Sequence, residues 1–290
     1  MKVYRGYDQS GLDDQYDTRR RVADAGKYVA HREAESARVR RAVACRTDIA
    51  YGAGPAERLD LFPPPAPAAA PPPALIYIHG GYWQLSDKSD TSFVAPAFSG
   101  AGIAFISLNY ALAPAVDMDR IVGQIRSAIA FVWRNAADLG IDRDRIAVAG
   151  HSAGGHLAAM AAPTNWPAVA PDLPADPIKA VCGISGLYDL EPIRLCYLNE
   201  VLGLDADSAR RNSPISLVPR IPGPILLAAG GDETDEFLRQ QTALAETWRE
   251  RGADVREMVV PGAHHYSIIR VLADANSDLC QTVCGLVAPE

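Results

Sequence analysis

Six short apolar runs, each closed by glycine or a polar turn, alternate with helical stretches along most of this 290-residue chain. They are ALIYIHG (74–80), GIAFISLNY (102–110), RIAVAGHS (145–152), IKAVCGISG (178–186), PILLAAGGDE (224–233) and DVREMVVPG (254–262). Short runs of mostly apolar or β-branched residues are what strands covered on both faces require. Between them, residues 118–139 place Ile121, Ile125, Ala128, Ile129, Val132 and Trp133 on one helical face. Residues 235–251 set Phe237, Leu238, Leu244 and Trp248 among charges. This alternation predicts an α/β fold with a mainly parallel central sheet and helices on both faces. In such sheets the chemistry gathers at the carboxyl ends of the strands.

The flanking segments read differently. Residues 12–46 are charged, proline-free and helical in pattern, and RLDLF (58–62) alternates like a short strand. The run 63–73 is pure Pro and Ala; it cannot pair inside a sheet and is read as a surface loop between two strands. The expectation is a single domain over 1–290, with 1–46 as an N-terminal helical extension and 63–73 as a Pro/Ala loop.

Charge and composition exclude several classes. The net charge is −7, with residues 1–46 at +4, which disfavours nucleic acid as a partner. Arg19-Arg20-Arg21 has no aromatic platform beside it and reads as a solvated helical face. No stretch approaches the ~18 apolar residues of a membrane helix, so no membrane partner is expected. Five scattered cysteines without a leader point to a reduced, cytoplasmic compartment. No Cys/His spacing suggests a metal site. The pattern does not specify an oligomeric state.

Gly150-His151-Ser152-Ala153-Gly154 matches G-x-S-x-G, and its context is strand, sharp turn, then small-residue helix. That is the setting of a nucleophile elbow. Ser152 would stand above the sheet, and the Ala153 N–H at a helix N-terminus would face a developing oxyanion. A serine hydroxyl needs a base, and the base needs an orienting acid. Four carboxylates follow the strand PILLAAGG. Asp232 and Glu233 are nearest its end, while Asp235 and Glu236 suit the start of the next helix. His264 and His265 both follow the last strand. His79-Gly80-Gly81-Tyr82-Trp83 ends the strand ALIYI and suits backbone donors for an oxyanion, with His79 holding the loop.

HGGYW (79–83), GHSAGGHLAA (150–159) and GLYDLEPI (186–193) together resemble kynurenine formamidase (arylformamidase), within the α/β-hydrolases. LDDQYD (12–17), NYALAP (109–114), RRNSP (210–214) and the EF…RQ run after the acid loop extend the resemblance over nearly the whole chain. It implies Ser152 as nucleophile and His265, followed by an aromatic, as base. The acid aligns with Glu233, four residues before Phe237; animal members have aspartate there, so Asp232 stays a rival. The implied oxyanion donors are the Gly81, Tyr82 and Ala153 N–H groups, with Gly80 shaping the loop and Tyr82 and Trp83 as pocket walls. The implied reaction cleaves an N-formyl aryl amide to formate and the free amine through an acyl-enzyme, without cofactor or metal, on a small-molecule substrate. The alternatives are a carboxylesterase on small or aromatic esters and, more remotely, a non-catalytic ligand-binding protein of the same fold.

Overall fold

A computed structural model describes residues 1–66 and 69–288. Eight strands form one sheet in the order β1-β2-β4-β3-β5-β6-β7-β8: β1 Arg46–Ala50, β2 Arg58–Phe62, β3 Ala74–Ile78, β4 Ala104–Leu108, β5 Ile146–His151, β6 Ala180–Ile184, β7 Ile225–Gly230 and β8 Val255–Val260. β1 and β2 pair antiparallel, and so do β2 and β4; every later pairing is parallel. The predicted mainly parallel sheet is therefore present, and all six apolar runs are strands in it.

Alternation along each central strand divides the core. Ala74, Ile76 and Ile78 of β3 join one apolar layer with Ile121, Ile125 and Ile129 of the helix Met118–Arg134. Leu75 and Tyr77 face the other layer, which holds Phe98, Leu279 and Val283. Both faces are thus covered by helices, which is why these strands carry no polar alternation.

The N-terminal segment differs from the expected continuous helix. It is broken into α1 Gln9–Tyr16, α2 Thr18–Arg21 and α3 Ala25–Ala42, and ends in the edge strand β1. Asp17 closes α1, and its carboxylate accepts from Arg20 N at 3.1 Å to cap α2. β1 is mostly exposed, so its RTDIA sequence has no buried face to mark it. The Pro/Ala run joins β2 to β3, which are separated in the sheet by β4. Pro67 and Ala68 of that predicted loop lie outside the described residues.

A buried polar knot ties α3 to the sheet. Asp60 of β2 is 0% exposed; it accepts from Lys88 Nζ at 3.0 Å and Asp48 N at 2.8 Å, and pairs with Arg40 of α3. Asp60→Ala leaves the buried Lys88 ammonium with only the exposed Asp48 carboxylate, at 2.7 Å, and the half-buried Arg40 guanidinium without its acid. Denaturant unfolding should show a loss of about 3–5 kcal/mol. A loss under about 1 kcal/mol would mean that water replaces the carboxylate.

Candidate active site

Ser152 directly follows β5 with φ 58° and ψ −122°, a left-handed conformation that costs about 1–3 kcal/mol and is kept only where packing imposes it. The helix Ala153–Ala161 turns back immediately over the sheet. A Cβ at Gly154 would meet Ile78 O at 2.0 Å, so no side chain fits there. Ser152 N donates to Ile184 O at 2.8 Å, fixing the turn to β6.

His265, on the loop after β8, places Nε2 at 3.0 Å from Ser152 Oγ. Its Nδ1 donates to Glu233 Oε2 at 2.7 Å, which leaves Nε2 to accept from the serine hydroxyl. The Glu233 side chain is fully buried. Its other oxygen accepts from Gly230 N at 3.0 Å and from the Ser185 hydroxyl. Burial alone pushes its carboxyl up. The His265 ring, the Ser185 hydroxyl and the Gly230 N–H outweigh this and hold it below the usual range, so it is the anion near neutral pH.

Neighbouring candidates have other work. Asp232 is exposed and makes no side-chain hydrogen bond or ion pair among the described residues. His264 Nδ1 accepts from Tyr266 N and Ser267 N at 3.2 Å each, and its ring meets Tyr28 edge-on at 4.8 Å. Asp235 and Glu236 begin the helix Asp235–Glu250, and Glu236 Oε2 accepts from Tyr16 OH at 2.9 Å.

The loop 79–86 crosses directly in front of the elbow. Gly81 has φ 110°, and a Cβ there would lie 2.2 Å from Leu85 O, so glycine is required. Gly81 O instead accepts from Gln84 N and Leu85 N at 3.0 Å each. His79 braces the loop: Nε2 meets Asn109 Oδ1 at 3.0 Å, and the ring stacks on Tyr110 at 4.4 Å. Among the described residues, the Gly81, Tyr82 and Ala153 N–H groups donate to no protein acceptor.

A cavity of about 430 Å³ opens over Ser152 and His265. Tyr82 lines it, and its hydroxyl donates to Tyr16 O at 2.7 Å. Trp83 does not, and its expected place as a pocket wall is corrected. It is 0% exposed and donates from Nε1 to His156 Nδ1 at 3.2 Å. Consecutive left-handed residues, φ 50° at Tyr82 and 60° at Trp83, turn the first side chain to the cavity and the second into the core. Tyr197, Tyr266 and Arg32, none singled out by sequence, also line the cavity. So do residues of α2 and α3, which makes the N-terminal extension one of its walls. Among the described residues no cluster of His, Cys, Asp and Glu could hold a metal ion, and no helix is long and apolar enough to cross a membrane.

The family model BD-FAE matches residues 59–246, about two thirds of the sequence. The chain belongs to the BD-FAE family. Three further likenesses extend beyond the span of that model. A kynurenine formamidase of Salmo salar is 33% identical over 251 residues, which cover 83% of this chain and 81% of that protein. A solved structure described as a putative thioesterase of Silicibacter sp. superposes with TM-score 0.82 at 33% identity, covering 95% of this chain and 98% of the other. Esterase LipC of Mycobacterium tuberculosis is 31% identical over 238 residues, 76% of this chain and 59% of that protein. This BD-FAE member thus has an α/β-hydrolase fold, with formamidases and esterases among its relatives.

Three other histidines are buried. His156 is pushed down to about 4, first by burial; His79 and His151 are also lowered, first by burial. Each is neutral in the fold, whereas the same rings in the unfolded chain take up protons near histidine's ordinary 6.5. The unfolded state therefore binds more protons below that pH, and the stability present above it is lost as pH falls. The midpoint of thermal unfolding should drop between pH 7 and pH 5. A flat profile would contradict the buried neutral rings.

Proposed function

We propose that the protein is a serine hydrolase that cleaves an N-formyl aryl amide, of the N-formylkynurenine kind, to formate and the free arylamine. The observation that carries this reading is the unbroken row Ser152–His265–Glu233, at 3.0 Å and 2.7 Å, under an aromatic-lined cavity in a close relative of kynurenine formamidases.

His265 Nε2 takes the Ser152 proton as Oγ attacks the formyl carbon. Glu233 stabilises the imidazolium. The oxyanion accepts from the Gly81, Tyr82 and Ala153 amides, a reading supported by their having no protein acceptor among the described residues. On collapse, His265 returns the proton to the departing nitrogen, a step an amide requires more than an ester. Water, deprotonated by His265, then attacks the formyl-serine and releases formate, restoring Ser152. Tyr82 packs beside the aryl ring. None of these steps calls on a metal or cofactor. All five cysteines are free, in keeping with a cytoplasmic location.

The same row would hydrolyse an ester, and the likeness to Esterase LipC favours carboxylesterase activity as the second reading. Comparing kcat/KM for N-formylkynurenine and p-nitrophenyl acetate separates the two. The formamide should be preferred by at least about tenfold; a preference of that size for the ester would replace the first reading with the second.

A further inference from the structure

Arg32 of α3 lines the same cavity as Ser152 and His265, and one edge of its guanidinium is unused. Its Nε is buried and makes no hydrogen bond. Its Nη2 lies 3.5 Å from Asp90 Oδ2. That oxygen is already taken at shorter range, by Ser86 Oγ at 2.6 Å and Asp87 N at 3.2 Å, where it closes the capping box of the helix Lys88–Val94. Asp90 therefore holds Arg32 in place without consuming its donors. A guanidinium cannot shed its proton, and a buried donor left open is a standing cost unless an acceptor arrives.

A second open group stands on this wall. His151 Nε2 is buried without a partner, and its residue lines the same cavity. Burial keeps this ring neutral, and the Arg32 charge acts in the same direction. The His151 ring is 4.6 Å from the His265 ring. The remaining charged groups in the lining compete poorly. Asp17 caps α2, while Arg19 and Glu33 are exposed to water.

We propose that Arg32, in the cavity that His151 also lines, forms a carboxylate subsite that selects substrates whose leaving group carries a negative charge. A charged donor facing a carboxylate in a sheltered cavity is worth roughly 10- to 100-fold in affinity. The inference rests on the serine-hydrolase reading above but not on whether the scissile bond is an amide or an ester.

The test uses two matched series. One is formanilides with a carboxylate on the ring or on a short alkyl tether, each against its primary carboxamide; the other is acetate esters of the corresponding phenols. For the best tether, the wild-type protein should favour carboxylate over carboxamide by roughly 10- to 100-fold in kcat/KM, chiefly through KM. Arg32→Gln should bring that ratio close to one. Arg32→Lys, which keeps the charge but loses the planar edge, should fall between and serves if the glutamine variant does not fold. A wild-type ratio near one in both series overturns the proposal. So does a ratio that survives Arg32→Gln, or one that Arg32→Lys leaves intact. Turnover of the esters alone, with the ratio and its loss on substitution, would remove the formamidase reading and leave the subsite standing.

Discussion

Ser152→Ala is expected to lower kcat by about 10⁶-fold on any substrate the protein turns over, and to abolish labelling by a fluorophosphonate. The size follows from the geometry. Ser152 Oγ is the hydroxyl within hydrogen-bond reach of the His265 ring, so it is the group that this base can activate. On the proposed mechanism the residual rate would come from the amides of Gly81, Tyr82 and Ala153 polarising a bound carbonyl. The substitution should leave the fold intact, because the serine hydroxyl donates to no group other than the imidazole and alanine removes only that oxygen. Labelling that persisted in the variant would move the nucleophile elsewhere.

Glu233→Ala is the second large effect, about 10³- to 10⁴-fold in kcat, whereas Asp232→Ala should stay within about threefold. Without Glu233 the His265 Nδ1 loses its acceptor and the ring its orientation. Gly230 N and the Ser185 hydroxyl lose theirs as well, so some thermal stability should fall with the rate. Asp232 points to water and has no such links. If the two substitutions exchanged effects, the turn after β7 would have to rearrange during turnover. His265→Ala should likewise exceed His264→Ala, whose ring nitrogen accepts only from backbone amides of its own turn.

The parallel strands and the elbow were legible in the chain because their cause is local. A strand buried on both faces must be apolar throughout, and a glycine-flanked serine between such a strand and a small-residue helix has few other uses. Glu233 against Asp232 was not decidable from the residues themselves, since both follow β7 directly. The choice depends on the turn, where Glu233 N bonds back to Gly230 O at 3.2 Å and brings the longer side chain under His265. Trp83 misled for a similar reason: side-by-side aromatics in a loop read as one surface, and only the backbone handedness separates them. Arg32 had no signal at all. It is one arginine among many in a charged helix, and its position is set by packing against a helix more than fifty residues later.

That strip of N-terminal helix has a practical meaning. The atoms that break bonds are carried by the sheet, while much of the surface that greets the substrate is carried by a separate stretch of chain, fastened through the Tyr16 hydroxyl to Glu236, the Tyr16 carbonyl to Tyr82 and Arg40 to Asp60. Chemistry and selectivity can therefore drift independently. Changes at cavity-lining leading residues such as Val29, Arg32 and Glu33 would reshape what is admitted, so long as the Tyr16 and Arg40 anchors that hold Tyr82 and Asp60 are kept.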